Sequence, residues 1–226
     1  MTELQLIKTD YPSRMGKILD EAWEVFKWQF RNGTFNVEID NEAGFQFYFA
    51  STIKRIGEMR VCCNEDFYLE VETKWGAPSG KGSERIDITC GFKEDNRKIY
   101  ACAIELKFFK TGHTFTSKMF KAYQDIAALD ERVNASGEEG VTRYSEGRFY
   151  LITDSESYKK KNAYKTKADD YPEFGLVEKT EKYVRYHDNR ETKLPQELFL
   201  TKEYEVKWDP SDGQSDWYFL EIGITK

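Results

Sequence analysis

Residues 85–107 read R-I-D-I-T-C-G-F-K-E-D-N-R-K-I-Y-A-C-A-I-E-L-K, two runs of alternating character around a polar turn at Asp95-Asn96. Alternation with a period of two is the mark of a β-strand, because successive side chains point to opposite faces. Strands are therefore expected over about Arg85–Phe92 and Lys98–Phe108. By parity, Ile86, Ile88 and Cys90 share one face of the first, with Arg85, Asp87 and Thr89 on the other. In the second, Tyr100, Cys102, Ile104 and Leu106 oppose Ala101, Ala103, Glu105 and Lys107. Taking the apolar rows as core-facing puts Asp87, Glu105 and Lys107 together on the opposite surface. The small side chains of Ala101 and Ala103 would leave that surface open.

Working outward, Phe67–Thr73 alternates as a half-buried strand, and Gly76, Pro78, Gly80 and Gly82 break the chain after it. Upstream, apolar residues recur at helical spacing from Ser13 to Phe30, stopped by Asn32-Gly33. A second helix is expected from about Asn41 to Glu58, capped by Asp40 or Asn41. Downstream, Met119, Tyr123, Ile126 and Leu129 predict a helix over about 115–133, and Arg148–Thr153 a further strand. The polar, lysine-rich stretch 155–195 reads as a surface excursion, partly helical, and residues 196–225 return to strand chemistry at Leu198–Val206 and Asp216–Ile224. Local strand pairing followed by a helix crossing to another strand indicates an α/β (α+β) fold rather than a sandwich. No long linker divides the 226 residues, so one domain is expected.

Net charge is −6 and the sequence pI about 5.2. Coating nucleic acid without specificity needs clustered Lys and Arg and is disfavoured, whereas local contact by an enzyme is not. The start, Met1 to Tyr11, has no uninterrupted apolar run, and no stretch reaches the ~18 apolar residues of a membrane span. Cys62, Cys63, Cys90 and Cys102 form no C-x-x-C pair, and there are only two histidines. A zinc site is disfavoured, and the cysteines read as small apolar residues of a reducing, cytoplasmic protein. His113 and His187 have no partner motif.

Two carboxylates and a lysine on adjacent strands suit divalent-metal chemistry. Hard oxygens hold Mg²⁺ or Mn²⁺ while leaving positions for water and a phosphate oxygen, and the ion activates water and stabilises charge growing on phosphorus. Lys107 shares the face of Glu105 and can orient the water or support the transition state. The Leu106 carbonyl is a candidate further ligand. Against this, charged residues on a solvated sheet face are common. Yet A-C-A-I-E-L at Ala101–Leu106 is apolar around one acid, as in a buried strand, where charge is costly unless paired or metal-bound.

R-I-D-I-T at Arg85–Thr89 followed by I-E-L-K at Ile104–Lys107 resembles the PD-(D/E)xK nuclease superfamily, with Ile86 where the motif's proline usually stands. The resemblance covers about residues 41–154. It implies a restriction endonuclease-like α-β-β-β-α-β core with a mixed central sheet, here with an N-terminal helix and extra C-terminal strands. It further implies that Asp87 and Glu105 are metal ligands and Lys107 the catalytic lysine. Glu42, in N-E-A-G-F-Q-F-Y, is the match for an acid from the helix before the sheet, although an acid in a first helical turn also complements the helix dipole. Gln124, in K-A-Y-Q-D-I, matches the place of a supporting residue on the following helix. Lys159, Lys160 and Lys161 are candidate phosphate contacts, and exposed lysines that merely solvate the surface are their rival. The expected function is a Mg²⁺- or Mn²⁺-dependent nuclease acting on nucleic acid, with DNA the expected substrate. A homodimer or a protein partner is compatible with this. The alternative is a non-enzymatic binding or regulatory protein on the same fold.

Overall fold

The structure is a computed structural model, and it describes residues 10–62, 64–76, 83–112, 115–134, 144–160, 174–186, 196–209 and 216–226. Among these, three α-helices and eight strands follow in the order α1 (Tyr11–Arg31), α2 (Glu42–Glu58), β1 (Asp66–Gly76), β2 (Ser83–Glu94), β3 (Arg97–Phe109), α3 (Phe115–Asn134), β4 (Glu146–Thr153), β5 (Tyr183–Tyr186), β6 (Gln196–Phe199), β7 (Lys207–Trp208) and β8 (Tyr218–Thr225). The fold is mixed α and β. Its main sheet has six strands in the order β1-β2-β3-β4-β8-β7, with β3 and β4 parallel and every other neighbour antiparallel.

Each helix forms where sequence signals agree. The Asp10 side chain accepts the Ser13 N–H at the start of α1, and Pro12 sits in its first turn, where no N–H is needed. After Asn32, Gly33 turns the chain with φ +59°, a left-handed conformation that costs glycine little. Asn41 caps α2 by accepting the Gly44 N–H, which makes Glu42 the first helical residue. These two helices pack on one face of the sheet, where Trp23, Phe26, Phe45 and Phe49 meet Ile88, Cys90, Ile104, Leu106 and Tyr150. Packing is tight within the sheet as well. A Cβ on Gly91 would lie 1.9 Å from the Tyr100 carbonyl oxygen, so only glycine fits there.

The other face is not open, contrary to the reading of the alternating strands. Helix α3 covers it, burying Ala101 and Ala103 with Met119, Tyr123, Ile126 and Leu129, and seven consecutive residues of β3 from Tyr100 to Leu106 are buried. The small alanines admit a helix rather than solvent. Parity also fails at Ile86, which joins the α3-side core instead of the row of Ile88 and Cys90. The cause is a local break: Glu72 has φ +52°, the β1–β2 ladder lacks a pair between Glu72 and Asp87, and β2 is paired with β3 only from Ile88 onward.

The excursion also needs correcting. Phe174, Leu176 and Val184 are buried in the α3-side core, with β5 and β6 forming a two-stranded ribbon beside α3. The expected strand Leu198–Val206 is instead β6 ending at Phe199, followed by an isolated bridge between Lys179 and Glu205. The excursion is expected to hold a helix; its described residues hold one 3₁₀ turn, Glu156–Lys159, and no α-helix. No helix among the described residues is long and apolar enough to cross a membrane.

Candidate active site

The site lies where β2 and β3 part. Their ladder ends at the Ile88–Ile104 pair, and beyond it Asp87 and the segment Glu105–Lys107 diverge. The gap is bridged by a side chain. Asp87 Oδ2 accepts the Leu106 backbone N–H at 2.7 Å, in place of the next ladder bond. The Asp87 carbonyl is not orphaned either, because Gln46 Nε2 on α2 donates to it at 2.8 Å and to Glu72 Oε1 at 3.1 Å. Asp87 and Glu105 also act on each other electrostatically, Glu105 lowering the pKa of Asp87 and Asp87 raising that of Glu105.

Glu105 is 6% exposed and meets Arg132 of α3, whose Nη1 donates to Glu105 Oε1 at 2.6 Å. Burial is possible because the charge is paired. Lys107 lies two residues on, half-buried, with its ammonium 2.6 Å from Asp125 Oδ2, 3.0 Å from the Leu106 carbonyl oxygen and 3.4 Å from Glu42 Oε1. The Phe108 backbone also acts on Glu42, lowering its pKa. Its place at the start of α2 therefore brings it to the site as well as to the helix dipole.

The charges are unbalanced. Glu42, Asp87, Glu105 and Asp125 face Lys107 and Arg132, which sums to −2 when all six are ionised. The carboxyls resist that state. Burial raises the pKa of Glu42 against the pull of Lys107, and that of Asp87 against the Leu106 N–H and Lys107. Glu105 is pushed well up by burial, then by Asp125 and Asp87, with Arg132 opposing. Asp125 is pushed up to about 6, because burial together with Asp87 and Glu42 outweighs Lys107. Burial also works against the charge on Lys107, but Asp125 and Glu42 overcome it and the pKa rises, so the amine is an ammonium at neutral pH.

No family model, no curated protein and no solved structure matches the chain. What the site can do is thus read from its own atoms.

The structure brings together Asp87, Glu105, Leu106, Lys107 and Glu42 from the sequence reading. It does not bring Gln124. That side chain is exposed and turns to Gln196 Oε1 at 3.4 Å, while the next residue, Asp125, takes the inward position. Lys159 lies over the Tyr218 ring at 4.8 Å and Lys160 pairs with Glu156 at 3.3 Å. Both follow β4 on the side to which the parallel β3 and β4 carry their C-terminal ends. Lys161 and the two histidines lie outside the described residues.

Asp125, Arg132 and Gln46 were missed, although a signal existed for each. Asp125 and Arg132 fall at i and i+7 beside the apolar stripe Ala122, Ile126, Leu129, Val133, so both face inward. Gln46 stands four residues after Glu42, on the same side of α2.

Among the described residues, no three or more of His, Cys, Asp and Glu are gathered as a metal would gather them; Lys107 pairs with Asp125 and Glu42, and Arg132 with Glu105. The donor set nonetheless fits Mg²⁺ or Mn²⁺. It is hard oxygen throughout, and full ionisation of its carboxyls would leave two negative charges for a divalent ion to neutralise.

Proposed function

We propose that the chain is a divalent-metal-dependent nuclease of the PD-(D/E)xK type on a restriction endonuclease-like core, hydrolysing phosphodiester bonds of DNA. One observation carries this reading: the Asp87 carboxylate bonded to the Leu106 N–H ties the two halves of the motif into one place, between Glu105 and Lys107. Asp87, Glu105 and the Leu106 carbonyl would hold Mg²⁺ or Mn²⁺, with Glu42 beside them. When bound, such an ion supplies Lewis-acid activation of water and of the scissile phosphate. Lys107, kept protonated, serves as a donor rather than a base. Its ammonium orients the attacking water or a phosphate oxygen and offsets negative charge in the transition state. Arg132 holds one oxygen of Glu105, and Gln46 fixes the backbone of Asp87. Lys159 and Lys160 supply positive charge along the DNA backbone, which reconciles an acidic chain with a polyanionic substrate.

The deciding experiment is incubation of plasmid and oligonucleotide DNA and RNA with the purified chain and Mn²⁺, beside Lys107→Ala. Cleavage by wild type alone supports the nuclease. Absence of cleavage and of Mn²⁺ uptake in a folded wild type sinks it. The second reading, a binding protein on the same fold, draws on the pairing of Glu105 with Arg132 and of Lys107 with Asp125, which makes the site partly self-neutralised. Retention of DNA or a protein partner without cleavage favours that reading.

A further inference from the structure

The Lys107 ammonium donates to the Leu106 carbonyl at 3.0 Å and to Glu42 Oε1 at 3.4 Å, and it is ion-paired at 2.6 Å with Asp125 Oδ2, a buried oxygen with no directed hydrogen bond of its own among the described residues. Two of these, the Leu106 carbonyl and Glu42, are among the oxygens assigned above to the divalent ion. An ammonium and a divalent cation cannot share them, since like charges at such separations repel strongly in a partly buried site. Asp125 is different. It comes from α3 rather than from β3 or α2, and its contact with Lys107 is the shortest of the three.

Asp125 is also firmly placed. Seven residues along α3, Arg132 is locked to Glu105 at 2.6 Å. Between them Asp130 accepts the Thr201 backbone N–H and hydroxyl, each at 2.6 Å. A helix held at these points keeps the Asp125 carboxylate at a fixed distance from β3.

We propose that Asp125 is a positioning residue that draws the Lys107 ammonium off the Leu106 carbonyl and Glu42, freeing those oxygens for the divalent ion and setting the ammonium beside the scissile phosphate. This rests on the metal-dependent reading of the site. The competing role is plain charge balance for a half-buried lysine, which would affect stability alone. The two roles separate in a double-mutant cycle, because a residue that acts through Lys107 loses its effect when Lys107 is gone.

The test is calorimetric titration of Mn²⁺ into the full chain as wild type, Asp125→Asn, Lys107→Met and the double variant, with circular dichroism to establish folding. Removing Asp125 with Lys107 present should weaken Mn²⁺ binding about tenfold, and with Lys107→Met in place by less than about threefold. Lys107→Met alone should bind at least as tightly as wild type, and Asp125→Glu should retain most of the affinity. Equal weakening in both backgrounds overturns the proposal in favour of direct ligation or a general field effect. No weakening in either leaves Asp125 a counter-ion and also overturns it. If folded wild type takes up no Mn²⁺, the metal reading falls and the inference falls with it.

Discussion

Asp87 and Leu106 are joined through a side-chain oxygen and a backbone N–H 2.7 Å apart, at the fork where β2 leaves β3. The bond does two things. It satisfies a partly buried amide that the ladder no longer serves, and it fixes a carboxylate against the Glu105–Lys107 segment. The two roles respond differently to substitution. Asp87→Ala removes the acceptor and should cost about 1–3 kcal/mol, the penalty of an unsatisfied buried amide. Asp87→Asn keeps an acceptor oxygen and removes a charge that burial and Glu72 both oppose, so the metal-free protein should be at least as stable as wild type. Both variants should lose Mn²⁺ affinity. Urea denaturation and metal titration check the pair, and equal destabilisation by Ala and Asn would show that charge, not the bond, holds the fork.

The raised carboxyl pKa values set the pH dependence of stability. A group whose folded pKa lies above its unfolded value contributes stability below the unfolded pKa and loses it as pH rises through the folded one. For Asp125 these limits are the ordinary 3.8 and about 6. The metal-free protein should therefore lose this contribution between pH 4 and 6, whereas Glu65 beside Arg14, whose pKa is lowered, acts in the opposite sense. Comparison with Asp125→Asn isolates the effect. The variant should gain on wild type by on the order of 2 kcal/mol across that window, with no further change above it. Denaturant melts at a series of pH values give the slope. A difference independent of pH would mean that Asp125 is not perturbed.

Much of this arrangement could be read from the chain, and the failures share a cause. Helix positions followed from caps at Asp10 and Asn41 and from apolar spacing, all of them local signals. Alternation in two adjacent strands put Asp87 near Glu105 and Lys107, but the ladder ends before Asp87 and its approach rests on the side-chain bond to Leu106, which alternation does not show. What escaped reading depended on what covers a face. Ala101 and Ala103 look the same in sequence whether they meet water or a helix, so burial by α3 was invisible. Choosing Gln124 over Asp125 was an error of one position, a rotation of about 100° on a helix, and the apolar stripe at Ala122, Ile126 and Leu129 contained the correction. The buried Phe174, Leu176 and Val184 were hidden by the polar residues around them. Ile86 turned over because of backbone conformation at Glu72, for which the sequence has no glycine or asparagine to warn of it.

Glu105 and Arg132 should show strong coupling. Removing one member of a buried ion pair leaves an uncompensated charge and costs about 3–5 kcal/mol, whereas removing both is far cheaper. Arg132→Met should thus destabilise severely, Glu105→Gln less because the amide can still bond, and the double variant less than the sum. Thermal melts of the four proteins measure the coupling. Additive effects would mean that Arg132 is held chiefly by neighbours other than Glu105. Under the metal-dependent reading, the double variant should also be the cleanest test of the site, folded yet lacking the carboxylate proposed as a ligand.

The proposed nuclease reading assigns the residues to different steps, and substitution should separate them. Lys107→Ala should reduce cleavage by about 10²-fold or more, the scale of losing a donor to transition-state charge, while Mn²⁺ binding persists. Gln124→Ala should leave cleavage unchanged, since its side chain turns to Gln196 and away from the carboxyls. Lys159→Ala with Lys160→Ala should act at a third step. Neither lysine is bound to the carboxyl cluster, as one lies over Tyr218 and the other pairs with Glu156. Their removal should weaken DNA binding and lower the slope of log affinity against log salt by up to about 2, at roughly 0.9 for each phosphate no longer neutralised. Turnover of saturating DNA should stay close to wild type. The measurements are single-turnover cleavage at saturating DNA, Mn²⁺ titration, and DNA affinity in Ca²⁺ at several salt concentrations. A double lysine variant with unchanged salt slope would remove these residues from the DNA path and leave the substrate to be bound by another surface of the same end of the sheet.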